Sequence, residues 1–396
     1  MTSMMTTPVA QVEQRLLAGD GRHEPMPALS SADIIAMARD AGITGRGGAG
    51  FPVWRKLSAV AGAGRPAVVI ANAAEGEPAA GKDKALLAAA PNLILDGLQL
   101  VARATGAKTA HFYAPTDALG RIRTVLRDRR DDLPVGLHAA PDAFVSGEES
   151  AVVGAVTGHG AVPADKRIRI TESGVGGAPT LVQNVETLAH LALIARYGPG
   201  WFRAAGTVDE PGTFLATISG AVHRPGIVVE AGYGVGLGEL ITAAGGPTSR
   251  VQAMLIGGYH GGWVPADPAL PVSRAALSPY GASPGAGVIV ALPAGSCGLV
   301  ETARIANYLA SQVAGQCGPC VNGLPRMAET LADLARRRSR PGLAAEVERL
   351  ARLVSGRGAC RHPDGTARLI LSAMRAFEAD VTAHLSGHCL ATEVSW

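Results

Sequence analysis

Residues 67–78, AVVIANAAEGEP, decide the fold that this sequence predicts. The run AVVIANA is almost entirely apolar and has the length of a strand, which is typical of a strand buried on both faces. From about residue 67 to residue 195, strand-like runs (AVVIANA, AHFYAP and GLHAAPDAFVSG) alternate with helical ones (KALLAAAPNLILDGLQLVARATG and ALGRIRTVLRDRR), and a helix over 185–195 closes the series. This alternation predicts an α/β domain built in layers.

Composition limits what kind of protein this is. The chain has 396 residues, 47% of them hydrophobic, so two or three packed domains are expected. Its net charge of only +3 favours neither a nucleic acid nor a membrane surface as a partner. The N-terminal sequence lacks the basic and apolar regions of a signal peptide, and no apolar run reaches the ~18 residues of a membrane-spanning helix. With five cysteines, an odd number, a disulfide framework is not expected. These features predict a cytoplasmic protein without a membrane span.

A glycine-rich loop, GRGGAGFP at residues 45–52, precedes the first strand. It contains G-x-G-x-x-G, but a short helix capped at Ser30 and ended by Gly42 comes before it, where a Rossmann fingerprint has a strand. Glycines let backbone N–H groups approach a phosphate, and Arg46, Arg55 and Lys56 supply positive charge nearby. We interpret the stretch as a phosphate or cofactor loop, and a flexible linker is the alternative.

Two acidic loops follow predicted strands. Asn72, Glu75 and Glu77 lie where the strand AVVIANA ends, and ligands of α/β sheets bind at the carboxyl ends of strands. Carboxylates there suit ribityl or ribose hydroxyl groups, although a solvated loop explains them equally well. Glu148 and Glu149 end another strand and begin a helix, so their simplest role is to complement the dipole of that helix.

The pattern changes in the second half of the chain. TFLATISGAV and IVVEAGYG, joined by a His-Arg-Pro-Gly turn, predict a β-hairpin, and LGELITAAGG predicts a short helix. From residue 300 onward, helical patterns with short connections predict a helical bundle. We therefore expect a poorly ordered N-terminus over 1–29, an α/β domain over 30–205, a small α+β unit with a linker over 206–296 and a bundle over 297–396.

The cysteines form a separate constellation. Cys317 and Cys320 make a C-x-x-C pair, with Cys360 beyond them, which indicates metal or redox chemistry in a protein kept reduced. Three thiolates supply three of the four ligands of a [4Fe–4S] cluster, and a zinc site also normally has four. For Cys297 and Cys389, packing as small buried hydrophobic side chains is the simplest role.

These motifs, in this order, resemble the NADH-binding flavoprotein subunit of respiratory complex I and its relatives in NAD-reducing hydrogenases and NAD-dependent formate dehydrogenases. The resemblance covers about residues 30–385 and rests on GRGGAGFP, NAAEGEP with KDK, SGEES, GGAPTLVQNVETL and CGPC. It implies a Rossmann-like FMN-binding domain. A soluble-ligand-binding β-grasp domain at TISGAVHRPGIVVEAGYGVGLGELITAAGG and a C-terminal helical iron–sulfur bundle would follow.

The resemblance also implies site residues and partners. FMN would take a hydride from NADH and pass electrons to an iron–sulfur cluster, and then to a ferredoxin-like or thioredoxin-like [2Fe–2S] protein subunit. No protein nucleophile is implied; Glu148 and Glu149 would flank the flavin. The implied cofactor-binding residues are Gly45, Arg46, Gly47, Gly48, Ala49, Gly50, Phe51, Lys56, Asn72, Glu75, Glu77, Glu148, Glu149, Lys166 and Asn184, and the implied cluster ligands are Cys317, Cys320 and Cys360.

The chain departs from the family pattern at several positions. The cluster motif C-G-x-C-x-P-C begins here with Ala314, which leaves three alternatives: a cluster completed by an exogenous or water ligand, a three-iron cluster, or none. Two aromatic residues that clamp the adenine in the family are replaced by Ala59 and by RIRI at 167–170, where Arg167 or Arg169 could compensate or select a 2′-phosphate. Ala74 replaces an acid of the flavin site.

The sequence thus predicts an FMN-dependent NAD(P)H dehydrogenase-type electron-transfer subunit. Two alternatives stay open: a non-catalytic paralogue that acts as an assembly or scaffold subunit, and a flavoprotein reduced by a ferredoxin rather than a nicotinamide. The missing aromatic residues and Ala314 favour the scaffold, whereas the intact GRGGAGFP loop, Glu148 with Glu149, and Lys166 oppose it.

Overall fold

The computed structural model describes residues 14–19, 26–165 and 167–391. The first part of the described chain is built around a sheet of four parallel strands. These strands are β1 (Ala67–Asn72), β2 (Ala107–Pro115), β3 (Val135–Ala140) and β4 (Thr180–Asn184), in the order β3-β2-β1-β4. The predicted α/β class is confirmed, and its sheet is parallel.

Helices cover both faces of this sheet. They are α1 (Ser31–Ala41), α2 (Val53–Ala61), α3 (Lys82–Ala89), α4 (Pro91–Thr105), α5 (Thr116–Arg127), α6 (Glu149–Val156) and α7 (Val185–Arg203). The apolar sides of α1, α2, α4 and α7 share the larger core with the strands. On the other face, Val152 of α6 packs with Val68, Ile70 and Tyr113. The sheet is therefore buried on both sides, as its apolar strands require.

The strand order creates a crevice at one edge of the sheet. β2 and β3 lie on one side of β1, whereas β4 lies on its other side. The chain runs from β1 to β2 and β3 on one side and then crosses to β4 on the other, so the strand order reverses between β1 and β4, and ligands of such sheets bind at this point. Asn72 and Asn184 are paired in register at that edge. The fold thus brings together two residues that are far apart in the sequence.

Local sequence signals predict both ends of α1 correctly, but one predicted long helix was wrong. Ser30 and Asp33 form a capping box at the start of α1, and Gly42 ends it with a left-handed φ of 69°. The stretch KALLAAAPNLILDGLQLVARATG is not one helix: α3 and α4 meet at an angle of 97°. Pro91 lacks the N–H that a continuous helix needs and stands at the first position of α4, where no donor is required.

Two further boundaries differ from the prediction. The strand predicted over GLHAAPDAFVSG ends at Ala140, and Phe144–Gly147 form a 3-10 turn. The helix predicted to end at residue 195 continues to Arg203, with a break at Gly198, whose φ is 87°. Both differences arise after short apolar runs, where the periodicity cannot separate a strand end from a turn.

The second sheet has five strands in the order β6-β5-β9-β7-β8. They are β5 (Thr213–Gly220), β6 (Ile227–Gly232), β7 (Val251–Ile256), β8 (Gly262–Pro265) and β9 (Val288–Pro293). β5 and β6 form the predicted antiparallel hairpin, and β5 pairs with β9 in parallel. The predicted short helix is α8 (Leu237–Ala243), and its apolar face belongs to the core of this sheet; a one-turn helix, α9 (Arg274–Leu277), lies before β9.

The described C-terminal part contains five α-helices whose apolar faces share one core. Its helices are α10 (Gly298–Ser311), α11 (Leu324–Ala335), α12 (Leu343–Val354), α13 (His362–Ala376) and α14 (Glu378–Leu385). A π-helical turn, Pro319–Gly323, precedes α11 and carries Cys320. The last predicted helix is two helices, because the chain leaves helical geometry at Phe377, whose φ is −117°.

Part of the N-terminal segment is packed. Leu16 is fully buried in the core of the first sheet, and the backbone N–H groups of Arg15 and Leu16 donate to Glu230 Oε2 at 2.8 and 2.7 Å. The expectation of low order over 1–29 therefore does not hold for residues 14–19, while 1–13 and 20–25 lie outside the described residues.

A membrane span was not expected. In the described ranges no single helix has the length and apolar character needed to cross a membrane; α3 and α4 meet those criteria only when taken together.

Candidate functional site

A cavity of about 1000 Å³ lies at the carboxyl edge of β1 and β4. Three parts of the chain form its walls: the first sheet with its glycine loop, the second sheet through Arg274 and neighbouring residues, and the start of α13 through Cys360 and His362. The expected cofactor residues that line it are Gly45, Gly47, Gly48, Ala49, Gly50, Phe51, Lys56, Asn72, Glu75, Glu77, Glu148, Glu149 and Asn184. Lys166 lies outside the described residues.

The glycine loop forms a side-chain-free wall of this cavity. Gly48 and Gly50 have φ values of 100° and 60°, a region that favours glycine. A Cβ atom at Gly50 would lie 1.6 Å from Arg274 Nη2, so no other residue fits beside that guanidinium without rearrangement. The loop can thus bring its backbone close to a ligand, which is the property expected of a phosphate or cofactor loop.

The side chain of Arg46 corrects one expectation, because it does not line the cavity. It donates to the carbonyl of Thr213 at 3.1 Å and to Thr44 Oγ1 at 3.0 Å, and it lies 4.8 Å from the ring centre of Tyr233. Arg46 is 3% exposed. Carbonyl acceptors and an aromatic face of the second sheet hold the two terminal nitrogens of the guanidinium there, whereas the buried Nε has no hydrogen-bond partner among the described residues, so Arg46 fixes the loop to that sheet. The cationic residues that line the cavity are Lys56, Lys82, Arg274, Arg361 and Arg368.

A buried ionic network lies beneath the cavity. Lys82 Nζ contacts Asp83 Oδ1 at 2.6 Å and Glu186 Oε2 at 3.0 Å, and all three side chains are almost completely buried. Asn184 Nδ2 donates to Asp83 Oδ2 at 2.7 Å. The backbone N–H of Asp83 donates to Glu75 Oε2 at 3.2 Å. The network therefore connects the loop after β1 with the end of β4.

The protonation states follow from this burial. Burial, with the negative charge of Asp83, raises the pKa of Glu75 to about 8. Burial alone would lower the pKa of Lys82, but Asp83, Glu186 and Glu75 outweigh it and raise that pKa. At neutral pH Glu75 holds a proton and Lys82 stays charged, so the buried charges stay close to balance.

Glu77 is a second carboxyl with an altered pKa. Burial raises its pKa to about 7. Oε2 accepts from the backbone N–H of Tyr259 at 2.8 Å. Oε1 is also buried and has no hydrogen-bond partner among the described residues. Since Glu77 lines the cavity, this carboxyl is available to pair with a hydroxyl group of a ligand.

The two adjacent glutamates have different partners. Glu148 Oε2 accepts from the backbone N–H groups of Ser150 at 2.9 Å and Ala151 at 3.3 Å, so Glu148 caps α6 as its position predicted. Glu149 pairs with Lys56 at 3.2 Å. Both also line the cavity. The structural role at the helix terminus and a role beside a ligand are therefore compatible.

Cys317, Cys320 and Cys360 converge at one end of the bundle. Burial alone would raise the pKa of Cys317, but hydrogen bonds to its sulfur from the backbone N–H groups of Ala359 and Cys320 and from the Cys320 thiol together lower that pKa. Burial and Cys317 raise the pKa of Cys320 to about 12, and Cys360 adds to this. In the described part of the chain their three sulfurs do not all lie within 4.8 Å of one another.

Cys297 does not replace the missing fourth cysteine. It precedes α10, whereas Cys317 follows that helix, and the 14 residues of α10 separate the two by about 20 Å. Its sulfur instead lies 3.5 Å from His384 Nε2.

The residues that replace the family's aromatic clamp stay away from the cavity. Arg167 pairs with Asp165 at 3.2 Å and its side chain is 88% exposed, and neither it nor Arg169 lines the cavity. Ala59 lies on an exposed part of α2. Phe51, 44% exposed, is the retained aromatic residue at the cavity.

Sequence reasoning missed several lining residues. Lys82 stands in the quoted KDK motif, but a local pattern cannot show that it is buried. Arg274 and Phe144 carry no local signal, because tertiary contacts bring them to the cavity. The ring centre of Phe144 lies 4.6 Å from that of His260 and 5.4 Å from that of His362. The two histidines are in contact, with His260 Nε2 3.0 Å from His362 Nδ1. This aromatic wall joins the second sheet to the bundle.

Comparison with known proteins identifies the family. Residues 38–193 match the Nuo51 FMN-binding domain, and residues 301–384 match the NADH-ubiquinone oxidoreductase-F iron–sulfur binding region. One NADH-quinone oxidoreductase F subunit of Rhizobium meliloti is 30% identical over 374 residues, which cover 89% of each chain. The chain belongs to the family of NADH-quinone oxidoreductase F subunits. The corresponding protein of Streptomyces coelicolor is 27% identical over 392 residues, 92% of this chain and 87% of its own.

Solved structures agree with this family assignment. A chain of NAD⁺-reducing [NiFe]-hydrogenase in the H₂-reduced state matches with a TM-score of 0.82 and 29% identity over 91% of this chain. The air-oxidized state gives a TM-score of 0.81 and 28% identity over 93%. The match spans 64% of the hydrogenase chain. The FMN-binding match contains the glycine loop and Asn184, and the iron–sulfur match contains Cys317, Cys320 and Cys360.

Replacing Lys82 with methionine tests the buried network. Lys82→Met leaves Asp83 and Glu186 buried without their cation, so we expect the free energy of unfolding to fall by about 3–5 kcal/mol. Chemical denaturation at neutral pH measures it. The control Arg326→Ala removes an exposed ion pair with Glu329 and should change the free energy of unfolding by less than ~1 kcal/mol. An equally small effect of both substitutions would contradict the network.

Glu77 predicts a pH dependence of stability. Its pKa is about 7 in the folded chain and ordinarily 4.5, so its contribution is complete below about pH 4.5 and is lost as the pH rises toward 7. Glu77→Gln removes this loss. We compare the free energies of unfolding of the variant and of the unsubstituted protein, both free of flavin, by denaturant titration. From pH 5 to pH 8, this free energy in the variant should rise relative to that of the unsubstituted protein by about 2–3 kcal/mol. The exposed Glu378→Gln control should show no such trend, and a flat Glu77→Gln profile would refute the assignment.

Proposed function

We propose that the chain is an FMN-dependent NADH dehydrogenase-type subunit that transfers electrons from NADH, through FMN, to an iron–sulfur centre. One observation carries the proposal: a single cavity is lined by the glycine loop and by Cys360. The residues of the flavin site and those of the cluster site thus meet at one space. Such proximity is what electron transfer between two bound cofactors requires.

The residues at the cavity fit FMN. Its volume of about 1000 Å³ is at the upper end of ordinary ligand sites. The glycine loop, with Lys56 and Arg274, supplies backbone groups and positive charge for a phosphate. Glu77, with its unpaired buried oxygen, suits a ribityl hydroxyl. Asn72 and Asn184 lie side by side at the sheet edge where such a ligand rests.

When bound, FMN accepts a hydride from a nicotinamide and releases the electrons one at a time. The protein's own groups position it and control its surroundings. Asn72 Nδ2 donates to the carbonyl of Gly147 at 2.9 Å and so joins the two acidic loops beside the cavity. Lys56, paired with Glu149, lines the same wall. Glu75 and Glu77 can each hold a proton near neutral pH, which limits the negative charge that the wall presents to a bound anion.

Cys317, Cys320 and Cys360 fit a cluster, although the thiolate set is incomplete. Backbone N–H groups donate to two of the three sulfurs and favour their thiolate forms, although for Cys320 burial and the neighbouring thiols outweigh this effect, so that thiol would lose its proton only when a positive iron binds. The N–H of Ala314 is one of these donors and points at the Cys320 sulfur. The backbone at position 314 therefore still reaches the cluster site, and the methyl group of alanine leaves one iron to an exogenous ligand.

We extend the proposal to domains and surroundings. Residues 30–205 are proposed as the Rossmann-like FMN and NADH domain, 206–296 as a β-grasp domain with its linker, and 297–396 as the iron–sulfur bundle. The mixed five-stranded sheet crossed by α8 supports the β-grasp proposal. A [2Fe–2S] protein subunit of ferredoxin-like or thioredoxin-like type is the proposed acceptor, and a cytoplasmic location stays a prediction.

Flavin content and its reduction test the function. Protein purified without air should carry one FMN per chain, and NADH should bleach the flavin absorbance within seconds in a stopped-flow experiment. Glu77→Gln should raise the Kd for FMN roughly tenfold, because an N–H donor replaces one of the two carboxyl oxygens that can accept from a ligand hydroxyl, while Glu378→Gln should not.

Other results would redirect the assignment. Failure to bind FMN even after reconstitution would exclude a flavoprotein. Flavin reduced by a ferredoxin but not by NADH would support the ferredoxin-linked alternative, and reduction by neither would support the scaffold. The exposed positions of Arg167 and Ala59 predict weak nucleotide binding, so the NADH titration should extend to millimolar concentrations.

Restoring the fourth cysteine tests the cluster. Ala314→Cys places a thiol next to Cys320, so we expect the iron content to rise toward the four of a cubane and the cluster to survive longer in air. Iron analysis and electron paramagnetic resonance measure both. Ala376→Cys, at the far end of α13, is the control for an added thiol and should change neither. If Cys360→Ala leaves the iron content unchanged, the cluster does not lie here.

A further inference from the structure

We propose that Cys297, His384 and Cys389 form a second metal site, which binds a single zinc ion and is separate from the cluster cysteines. Cys297 and Cys389 lie outside both ranges that match known family regions, and the proposal does not depend on flavin or cluster binding. The site lies at the end of the bundle where α10 begins, about 20 Å along that helix from Cys317.

The geometry is that of a mononuclear site. The ligand atoms of the three residues all lie within 4.8 Å of one another. Cys297 Sγ and His384 Nε2 are 3.5 Å apart. A tetrahedral zinc with Zn–S bonds of about 2.3 Å and Zn–N bonds of about 2.0–2.1 Å separates sulfur and nitrogen by roughly 3.5 Å. The two atoms already stand at the distance that the ion would impose.

The histidine is oriented as a ligand. His384 Nδ1 lies 3.0 Å from the carbonyl oxygen of Leu334. A carbonyl only accepts, so Nδ1 carries the proton and Nε2 presents its lone pair to the sulfur pair. A histidine that donates its other nitrogen to a backbone carbonyl is the usual arrangement around zinc. His384 is 1% exposed, so this orientation is held by packing.

The donor set selects zinc among the common ions. Two thiols and one imidazole are the borderline-soft donors that zinc prefers, and they disfavour magnesium and calcium. On binding, each thiol would release its proton to solvent, with no redox change. Cys389 is half-exposed, so water can complete the tetrahedron.

A structural consequence follows from where the three ligands lie in the chain. Cys297 lies four residues after the last strand of the second sheet and stands at the start of α10, whereas His384 and Cys389 lie at and just after the end of α14. Zinc would therefore link the segment from His384 to Cys389 to the junction between the second sheet and the bundle. In the absence of the ion, packing of Cys297 against Phe377 and its neighbours in the bundle core would hold the junction alone.

Metal analysis of the full chain tests the site. Protein purified in reducing buffer, loaded with zinc sulfate and desalted should retain one zinc per chain at this site, read by mass spectrometry. Cys389→Ser, at a half-exposed position that tolerates the change, should weaken zinc by more than ~100-fold in a chelator competition, beyond the ~10–100-fold of a lost supporting hydrogen bond. Cys297→Ser and His384→Gln should do the same. Retained FMN and an unchanged circular dichroism spectrum would show that the variants fold.

Cys360→Ser is the matched control, because zinc could also occupy the three cluster cysteines. It should leave the zinc at Cys297 in place. Loading with cobalt chloride in the Cys360→Ser background gives an independent reading: the thiolate-to-cobalt absorption and tetrahedral visible bands should be present in Cys360→Ser and vanish when Cys389→Ser is added to it.

Three results would overturn the proposal. These are no zinc or cobalt bound by the reduced protein, metal lost from Cys360→Ser but kept by Cys389→Ser, and a Cys297–Cys389 disulfide that persists in reducing buffer and excludes metal. None of them bears on whether FMN binds or NADH reduces it, so failure here is distinguishable from failure of the proposed function.

Discussion

The ammonium group of Lys82 is the charge on which the arrangement of the site depends. A buried cation must be paired, and Lys82 is held by Asp83 and Glu186, which are buried with it. Glu186 also accepts from the backbone N–H of Leu215 at 3.0 Å, in β5 of the second sheet. One set of charges thus fixes the loop after β1, the start of α7 and the edge of the second sheet. Removing any member would leave an uncompensated charge in the interior, so these elements have little freedom to move relative to one another.

Around this centre, the other two parts of the chain complete the cavity. Arg46 holds the glycine loop against the second sheet through the carbonyl of Thr213 and the ring of Tyr233. Phe144, His260 and His362 pack together and bring the start of α13, with Cys360, to the opposite wall. The residues for a flavin and those for a cluster are therefore neighbours. They come together only where three hydrophobic cores meet, and none of the three cores contains the whole cavity.

Much of the fold could be predicted because its signals are local. The capping box at Ser30, the left-handed Gly42 and the hairpin of β5 and β6 each depend on a few adjacent residues. The glycine loop could be recognised for the same reason. The continuous helix across Pro91 was wrong, since the apolar periodicity on both sides outweighed the proline in the prediction. Arg46 was assigned to a ligand because its charge is visible in the sequence, whereas two of the carbonyls that bind it, of Pro211 and Thr213, lie 165 and 167 residues away along the chain.

By itself, the sequence determined the α/β class, the glycine loop, the acidic strand ends, the family and the loss of one cluster cysteine at Ala314. Each of these depends on residue types and on the order of neighbouring residues, which determine the local backbone preference and the chemistry of the side chains. The tertiary structure alone decided that Lys82 is buried, that Arg46 turns away from the cavity, that Cys360 faces it, and that Cys297 meets His384 and Cys389. The physical reason is that burial and pairing depend on distances between segments far apart in the chain, and only the packing of the three cores sets those distances.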